Sequence, residues 1–219
     1  MKHLFKYFVY LCFSIGFSAT QAGTFDDFFK AIVFDQDKLV GHLISLGMDP
    51  NTPNEHGEPA LVFAVRSSAP KTVALLLHQK DIQVDAPNTA DETALMLAAN
   101  TTDLKIADAL IDNGASVNRK GWTPLHYAAS KGHVAMMHVL IDHDAYIDAE
   151  SPNGTTPLMM AAFYGTPNAV KLLLEEGADP TLRNQDGNNA LEMALSRDKL
   201  LSANYIRAFT QAWEIKESE

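Results

Sequence analysis

Four of the eight histidines fall within residues 121–143, the stretch GWTPLHYAASKGHVAMMHVLIDH, and imidazoles so close together could bind a metal or transfer protons. A zinc site needs three or four converging ligands, commonly paired four residues apart on a helix. His133, His138 and His143 are five residues apart instead, so successive side chains on a helix point about 140° away from each other. The spacing argues against a metal site.

The sequence also lacks the common motifs of phosphate-binding, hydrolase and metalloprotease sites. The sequence holds no glycine-rich phosphate loop, no G-x-S-x-G element and no H-E-x-x-H pair. The stretch RNQDGNNALE has the Asn-x-Asp-Gly core of a calcium loop, but Leu182 and Met193 stand where such a loop needs acidic ligands. We therefore expect no enzyme, no cofactor and no metal.

The composition is that of a folded, acidic protein. Of the 219 residues, 47% are hydrophobic and 20% are charged. The 17 basic and 27 acidic side chains give a net charge of −10. Such a charge repels phosphate backbones and anionic lipid headgroups. We expect neither nucleic acid nor a membrane surface as a partner.

The segment 1–22 has the plan of a secretory signal peptide. Lys2 and Lys6 precede the apolar run FVYLCFSIGF, and small residues follow up to Ala22. The run is shorter than the ~20 residues that span a bilayer. We expect cleavage after Ala22 and no membrane insertion of the mature chain, with an uncleaved inner-membrane tether or a buried first helix as the alternatives. The mature chain would hold 15 basic and 27 acidic side chains, a net charge of −12, because Lys2 and Lys6 leave with the leader.

A sequence pattern recurs along the rest of the chain. Five segments align: HGEPALVFAV, ADETALMLAA, KGWTPLHYAA, NGTTPLMMAA and DGNNALEMAL. Their equivalent leucines are Leu61, Leu95, Leu125, Leu158 and Leu191, at successive spacings of 34, 30, 33 and 33. A period near 33 indicates stacked helical repeats that bury their apolar faces against each other. The shortest spacing marks a connection, VNRKGWTP, that is three residues shorter than the others.

The third of these segments shows how one repeat is built. Thr123 can accept from the first free amides of a helix, and Pro124 fits the first helical position, where no N–H is needed. Gly132 can end this helix because glycine takes the positive-φ turn without strain. A second helix is predicted from His133 to about Asp142.

The two ends of the array are predicted to act as caps. Asp26, Asp27 and Lys30 place charges where interior repeats carry apolar or small residues. At the other end, apolar residues recur every three to four positions and should pack back on the last repeat: Tyr205, Ile206, Phe209 and Trp213.

These segments follow the T-P-L-H-x-A signature, which is best preserved in the hexapeptide TPLHYA, and the chain resembles the ankyrin-repeat family over about residues 24–213. The resemblance implies an all-α ankyrin-repeat solenoid of about five to six helix-turn-helix repeats with β-hairpin or loop tips. It implies a structural role for His126, whose imidazole would bond Thr123 and backbone of the adjoining repeat. The domain would comprise residues 23–219, with repeats at about 24–54, 55–87, 88–118, 119–150, 151–183 and 184–213.

In that family, partners usually dock on the tips and on the concave face of the inner helices. Carried over by register, the partner-binding residues are Trp122, Phe163, Tyr164, Arg66, Glu58, Glu92, Asn100, Arg119, Lys120, Ser130, Lys131 and Arg197. The three aromatic side chains are the expected anchors, although Phe163 could lean onto the next repeat instead. Arg119 and Lys120 would form a basic tip, unless they serve solubility alone.

The sequence thus predicts a non-catalytic, monomeric protein-interaction module. The leader and the repeats together favour a scaffold or accessory factor that binds one envelope protein in the periplasm of a Gram-negative bacterium. The alternative is an immunity protein that neutralises a toxin or hydrolase by covering its active site. A secreted, host-directed effector is the third interpretation.

Overall fold

The computed structural model describes residues 19–217, with side chains from Thr24 to Ala212. The regular elements in this range are all helices, and an isolated bridge joins Pro53 to Pro59. The predicted leader lies outside the described residues up to position 18, and the first described helix begins at Ala19.

The chain forms two compact units, one ending at Ile82 and the other beginning at Gln83. The boundary falls inside the segment predicted as repeat 55–87, and the predicted repeat limits stay predictions. The helices of unit one are α1 (Ala19–Val33), α2 (Asp37–Ser45), α3 (Ala60–Arg66) and α4 (Pro70–Leu77). The helices of unit two are α5 (Ala94–Ala99), α6 (Leu104–Asp112), α7 (Pro124–Lys131), α8 (Val134–Asp142), α9 (Pro157–Phe163), α10 (Pro167–Glu175), α11 (Ala190–Leu195) and α12 (Leu200–Glu217).

Unit two is a stack of helix pairs. Helices α5, α7, α9 and α11 form an inner row in which each packs on the next. Helices α6, α8, α10 and α12 form an outer row, and each outer helix packs on the inner helix that precedes it. In unit one, α1 packs on α2 and α3, and α4 packs on α2 and α3.

The inner row is held together by a repeated core. Leu95, Leu125 and Leu158 are fully buried, and burial of each leucine stabilises the fold by about 1.5–3 kcal/mol relative to exposure. Alanine pairs follow the leucines and are also fully buried, which lets neighbouring helices approach closely: Ala98 and Ala99, Ala128 and Ala129, Ala161 and Ala162.

Short polar residues and prolines start the helices. The side chains of Thr93, Thr156 and Asn189 accept from the third amide of α5, α9 and α11 at 3.4, 3.3 and 3.0 Å. Proline occupies the first position of α4 and α10, where no N–H is needed.

The tips between repeats take the form of tight loops within the described residues. In the tips before α5, α9 and α11, one amide donates to the carbonyl four residues on, from Asn88 to Glu92, Ser151 to Thr155 and Asn184 to Asn188, at 2.9–3.0 Å. The Asn88 and Asn184 side chains also accept two amides of their own loops. The loops thereby close on themselves without a β-ladder.

The helices at both ends of the chain expose part of their surface to solvent. Asp26, Asp27 and Lys30 on α1 are exposed. On α12, Ile206 is fully buried, whereas Tyr205 and Phe209 are half-buried. The side chain of Trp213 lies outside the described residues.

Candidate functional site

The three aromatic side chains predicted as anchors lie around one depression of unit two. Trp122 precedes α7, while Phe163 and Tyr164 end α9. They line a cavity of about 390 Å³ that reaches the tip at residues 184–188. A second cavity, of about 630 Å³, extends from Trp122 and Tyr164 to Tyr127 and Lys131.

Both cavities share Trp122, Met160 and Tyr164. We call the combined depression, lined by these three residues with Tyr127 and Phe163, the aromatic groove. It crosses the faces of α7 and α9 and reaches α11. Its volume and its apolar walls suit a peptide segment or a protruding side chain of a partner.

Tyr164 is the most accessible wall of the aromatic groove. Its side chain is 59% exposed, and its ring meets the Phe163 ring edge-on at 4.6 Å between centroids. The guanidinium of Arg197 lies 4.9 Å from the Phe163 ring centroid, a cation–π distance. Phe163 is thus half-buried beneath a cation, and Tyr164 presents its ring to solvent.

Trp122 is oriented by the histidine that the sequence singles out. Its indole meets the His126 imidazole edge-on at 5.2 Å. The His126 Nδ1 accepts from the Thr123 amide at 3.2 Å and lies 2.9 Å from the Thr123 hydroxyl. The Nε2 lies 2.9 Å from the Thr155 carbonyl, in the next repeat. Nδ1 accepts, so the ring proton is on Nε2, which donates to that carbonyl.

His126 is 0% exposed. Burial lowers the pKa of His126 from 6.5 to about 4, because the charged form would lose its hydration. The hydrogen bond to the Thr155 carbonyl opposes this effect only in part. His126 is therefore neutral near pH 7 and ties two repeats beneath Trp122.

Tyr127 is a wall residue that the sequence did not single out. Its hydroxyl donates to Glu92 Oε1 at 3.2 Å, across 35 residues of sequence. Burial, and then the Glu92 carboxylate, raises the pKa of Tyr127 to about 12. The sequence shows that a tyrosine follows the T-P-L-H element, but it does not show that the hydroxyl bonds Glu92, because the fold brings these two residues together.

The charged residues predicted to bind a partner are placed differently from one another. The expectation that Glu58 contacts a partner is corrected by its burial, because the residue is only 6% exposed and its carboxylate pairs with Arg66 at 2.7 Å. Both residues lie in unit one. Glu92 is half-buried and accepts from Asn88 and Tyr127.

The shortened tip also differs from the expected exposed basic pair. The Arg119 guanidinium donates to the Asp91 carbonyl and carboxylate at 2.8 and 2.9 Å, which folds this side chain against the preceding tip. Lys120 is exposed. The three-residue deletion thus leaves one exposed cation at this tip rather than two.

The remaining predicted residues border the aromatic groove. Asn100 and Lys131 are exposed and line its larger cavity with Ser130, whose hydroxyl donates to the Tyr127 carbonyl at 2.8 Å. Gly132 ends α7 with a φ of +69°, as the sequence predicts.

Within the described part of the chain, no three His, Cys, Asp or Glu side chains converge as metal ligands do. No described helix is both long and apolar enough to span a bilayer. The arrangement offers aromatic walls, a cationic rim and hydrogen-bonding tips, which together can bind a polypeptide.

Comparisons with known proteins match the chain to ankyrin repeats. A family model of three ankyrin-repeat copies matches residues 84–151, and a model of many copies matches residues 140–194. The chain is 31% identical to the nuclear factor NF-kappa-B p105 subunit of Gallus gallus over 70% of its length, and 26% identical to a B-cell lymphoma 3 protein homolog of Mus musculus over 76%. It spans only 16% and 39% of those two proteins.

Solved bacterial structures are similar over most of both chains. An ankyrin-repeat domain of Acinetobacter baumannii is 26% identical, with a TM-score of 0.72 over 84% of this chain and 97% of that one. A chain from the complex of a predatory endopeptidase of Bdellovibrio bacteriovorus with an immunity protein is also 26% identical, with a TM-score of 0.72 over 83% and 96%.

Proposed function

Because the chain belongs to the ankyrin-repeat family, whose repeats are protein-interaction modules, we propose that it is a non-catalytic module that holds one protein partner in the aromatic groove. The exposed ring of Tyr164, beside Trp122 and Phe163, is the observation that carries this proposal. Large aromatic side chains that remain accessible in a concave surface are frequent anchors of protein interfaces.

The compartment of this module is part of the proposal. The signal-peptide pattern of residues 1–22 supports export, and we place the mature chain in the periplasm of a Gram-negative bacterium. There it would act as a scaffold or accessory factor for one envelope protein. Cys12 lies inside the leader, so the mature chain would hold no thiol for the oxidising compartment to modify.

One comparison favours a second candidate function. The similar chain that comes from a complex of an endopeptidase with an immunity protein supports an inhibitor that covers a hydrolase. The aromatic groove would then hold a loop at the rim of the enzyme's active site. The two functions share the binding surface and differ in what binding does to the partner.

Site-specific crosslinking in cells tests the proposed function. Tyr164 is replaced by a photoreactive phenylalanine analogue in the full chain, expressed in a Gram-negative host, and Tyr146 is replaced in a matched control. Tyr146 has a similar exposure, 69% against 59%, but does not line the aromatic groove. We expect one protein to crosslink at position 164 and not at 146, and the recovered chain to begin at Gly23.

The crosslinked partner then separates the two functions. If it is a hydrolase whose activity falls on addition of the purified chain, the inhibitor is correct. If its activity is unchanged, the scaffold is correct. Equal crosslinking at both positions, or none at position 164, would contradict binding in the aromatic groove.

A further inference from the structure

One repeat position stands out for its exposure and its charge. Lys131, Tyr164 and Arg197 recur at the repeat spacing of 33 and follow the starts of α7, α9 and α11 at the same interval. All three are exposed. Because these helices pack on each other in that order, the three side chains form a row along one edge of the aromatic groove, which we call the cationic edge.

The charge of this edge opposes the charge of the whole chain. The chain carries −10, yet both charged members of the row are basic. Lys199 adds a third cation, whose ammonium donates to the Gly165 carbonyl at 2.6 Å. Asp198, between Arg197 and Lys199, is the acidic residue of this short stretch. The charge of the three cations Lys131, Arg197 and Lys199 with the one carboxylate of Asp198 is +2.

Two carboxylates lie on the side of the groove that faces the tips. Asp186 and Glu192 line the smaller cavity on the side of the tips. Both side chains are exposed, and Glu192 pairs with Arg183 at 2.9 Å. A bound segment therefore meets the cations Lys131 and Arg197 along the helix ends and the Asp186 carboxylate near the tips, where Glu192 is already paired with Arg183.

We propose that the aromatic groove selects an acidic segment of its partner, with an apolar side chain against Trp122 and Tyr164 and one carboxylate on each side, at Lys131 and at Arg197. The inference rests on the proposed function and names the chemistry of the partner. Charge complementarity carries it, because an acidic segment is repelled by the net charge of the chain as a whole and attracted by the cations of this edge.

The geometry of the row sets the spacing of the carboxylates. Neighbouring helices pack about 8–10 Å apart, so Lys131 and Arg197 are separated by about 16–20 Å. An extended chain rises about 3.3 Å per residue, so the two acidic residues should be roughly five or six positions apart. The apolar residue that meets Tyr164 should lie midway between them.

Selection from a phage-displayed library of random dodecapeptides tests this inference. The full chain is used as bait beside the charge-swapped variant Lys131→Glu with Arg197→Glu. A control variant, Lys105→Glu with Arg207→Glu, makes the same change of net charge on the exposed surface of α6 and α12. The selected peptides are then measured against Tyr164→Ala.

We expect the chain and the control variant to select acidic pairs about five or six residues apart around an apolar residue. We expect the charge-swapped variant to select basic pairs at those positions, and to bind the acidic peptides at least tenfold more weakly. Two results would overturn this inference and leave the proposed function standing. In the first, the peptides lose affinity for Tyr164→Ala but contain no acidic pairs. In the second, the charge-swapped variant selects peptides with the same charges as the parent chain does. Peptides indifferent to Tyr164→Ala, or no enrichment at all, would overturn both.

Discussion

At the scale of single residues, His126 shows how a side chain of a type often found in metal and catalytic sites can instead stabilise the fold. The spacing of the neighbouring histidines argues against a metal, and the resemblance implies bonds from His126 to Thr123 and to adjoining backbone. The structure places both ring nitrogens in such bonds, with Thr123 and the Thr155 carbonyl. The Thr123 hydroxyl lies 2.9 Å from Nδ1 of this ring. The ring also supports Trp122, so the structural tie and the candidate anchor are adjacent.

The stability of the fold should depend on pH through His126. Its pKa is about 4 when folded and 6.5 ordinarily, so the unfolded chain takes up the proton more readily between these values. His126 therefore contributes stability above pH 6.5 that is lost as pH falls toward 4, on the order of 3 kcal/mol. His126→Gln should lower the free energy of unfolding at pH 7, and its difference from the parent chain should shrink toward pH 4.

Urea titrations followed by circular dichroism at pH 7.5, 6, 5 and 4 measure this difference. The carboxylates are common to both chains, so their own pH dependence cancels in the comparison. A difference that stays constant from pH 7.5 to 4 would show that His126 is not held neutral by burial.

At the scale of elements, the sequence predicts the helix pairs well because each signal is local. Pro124 starts α7 and Gly132 ends it, as the sequence predicts. A hypothetical Cβ on Gly132 would lie 2.5 Å from Thr166 Cγ2, so this glycine serves the turn and the packing of the next repeat together. The second role is not visible in sequence, since it depends on a residue one repeat away.

Gly132→Ala should therefore destabilise more than a glycine substitution that meets only backbone strain. Gly177 is the matched control, because its φ is also positive, +93°, and a Cβ there would meet nothing within 4 Å. We expect Gly177→Ala to cost about 1–2 kcal/mol and Gly132→Ala about 1–3 kcal/mol more, from overpacking against Thr166. Chemical denaturation of both variants measures the costs, and equal values would contradict a packing role for Gly132.

At the scale of the whole molecule, the period near 33 was sufficient to predict the repeat family, since the signal recurs in register. It did not predict that Trp122 would lie beside Phe163 and Tyr164, because Trp122 precedes the leucine of its repeat by three positions whereas Phe163 and Tyr164 follow theirs by five and six. It did not predict which charges are exposed. Glu58 pairs with Arg66, and Arg119 bonds Asp91 in the preceding tip. Tyr127 bonds Glu92, which is 35 residues away in sequence. These contacts depend on how the folded chain packs.

The affinity of the partner crosslinked at position 164 tests the central claim most directly. Calorimetric titration of this partner compares the parent chain with Tyr164→Ala, with Trp122→Ala plus Tyr164→Ala, and with the control Tyr146→Ala, each checked for its helical content. Loss of an interface anchor costs about 2 kcal/mol or more, so we expect Tyr164→Ala to weaken binding about 30-fold or more. We expect further loss in the double variant and less than a twofold change for Tyr146→Ala. Unchanged affinity of the double variant, or an equal loss with Tyr146→Ala, would show that the partner binds elsewhere.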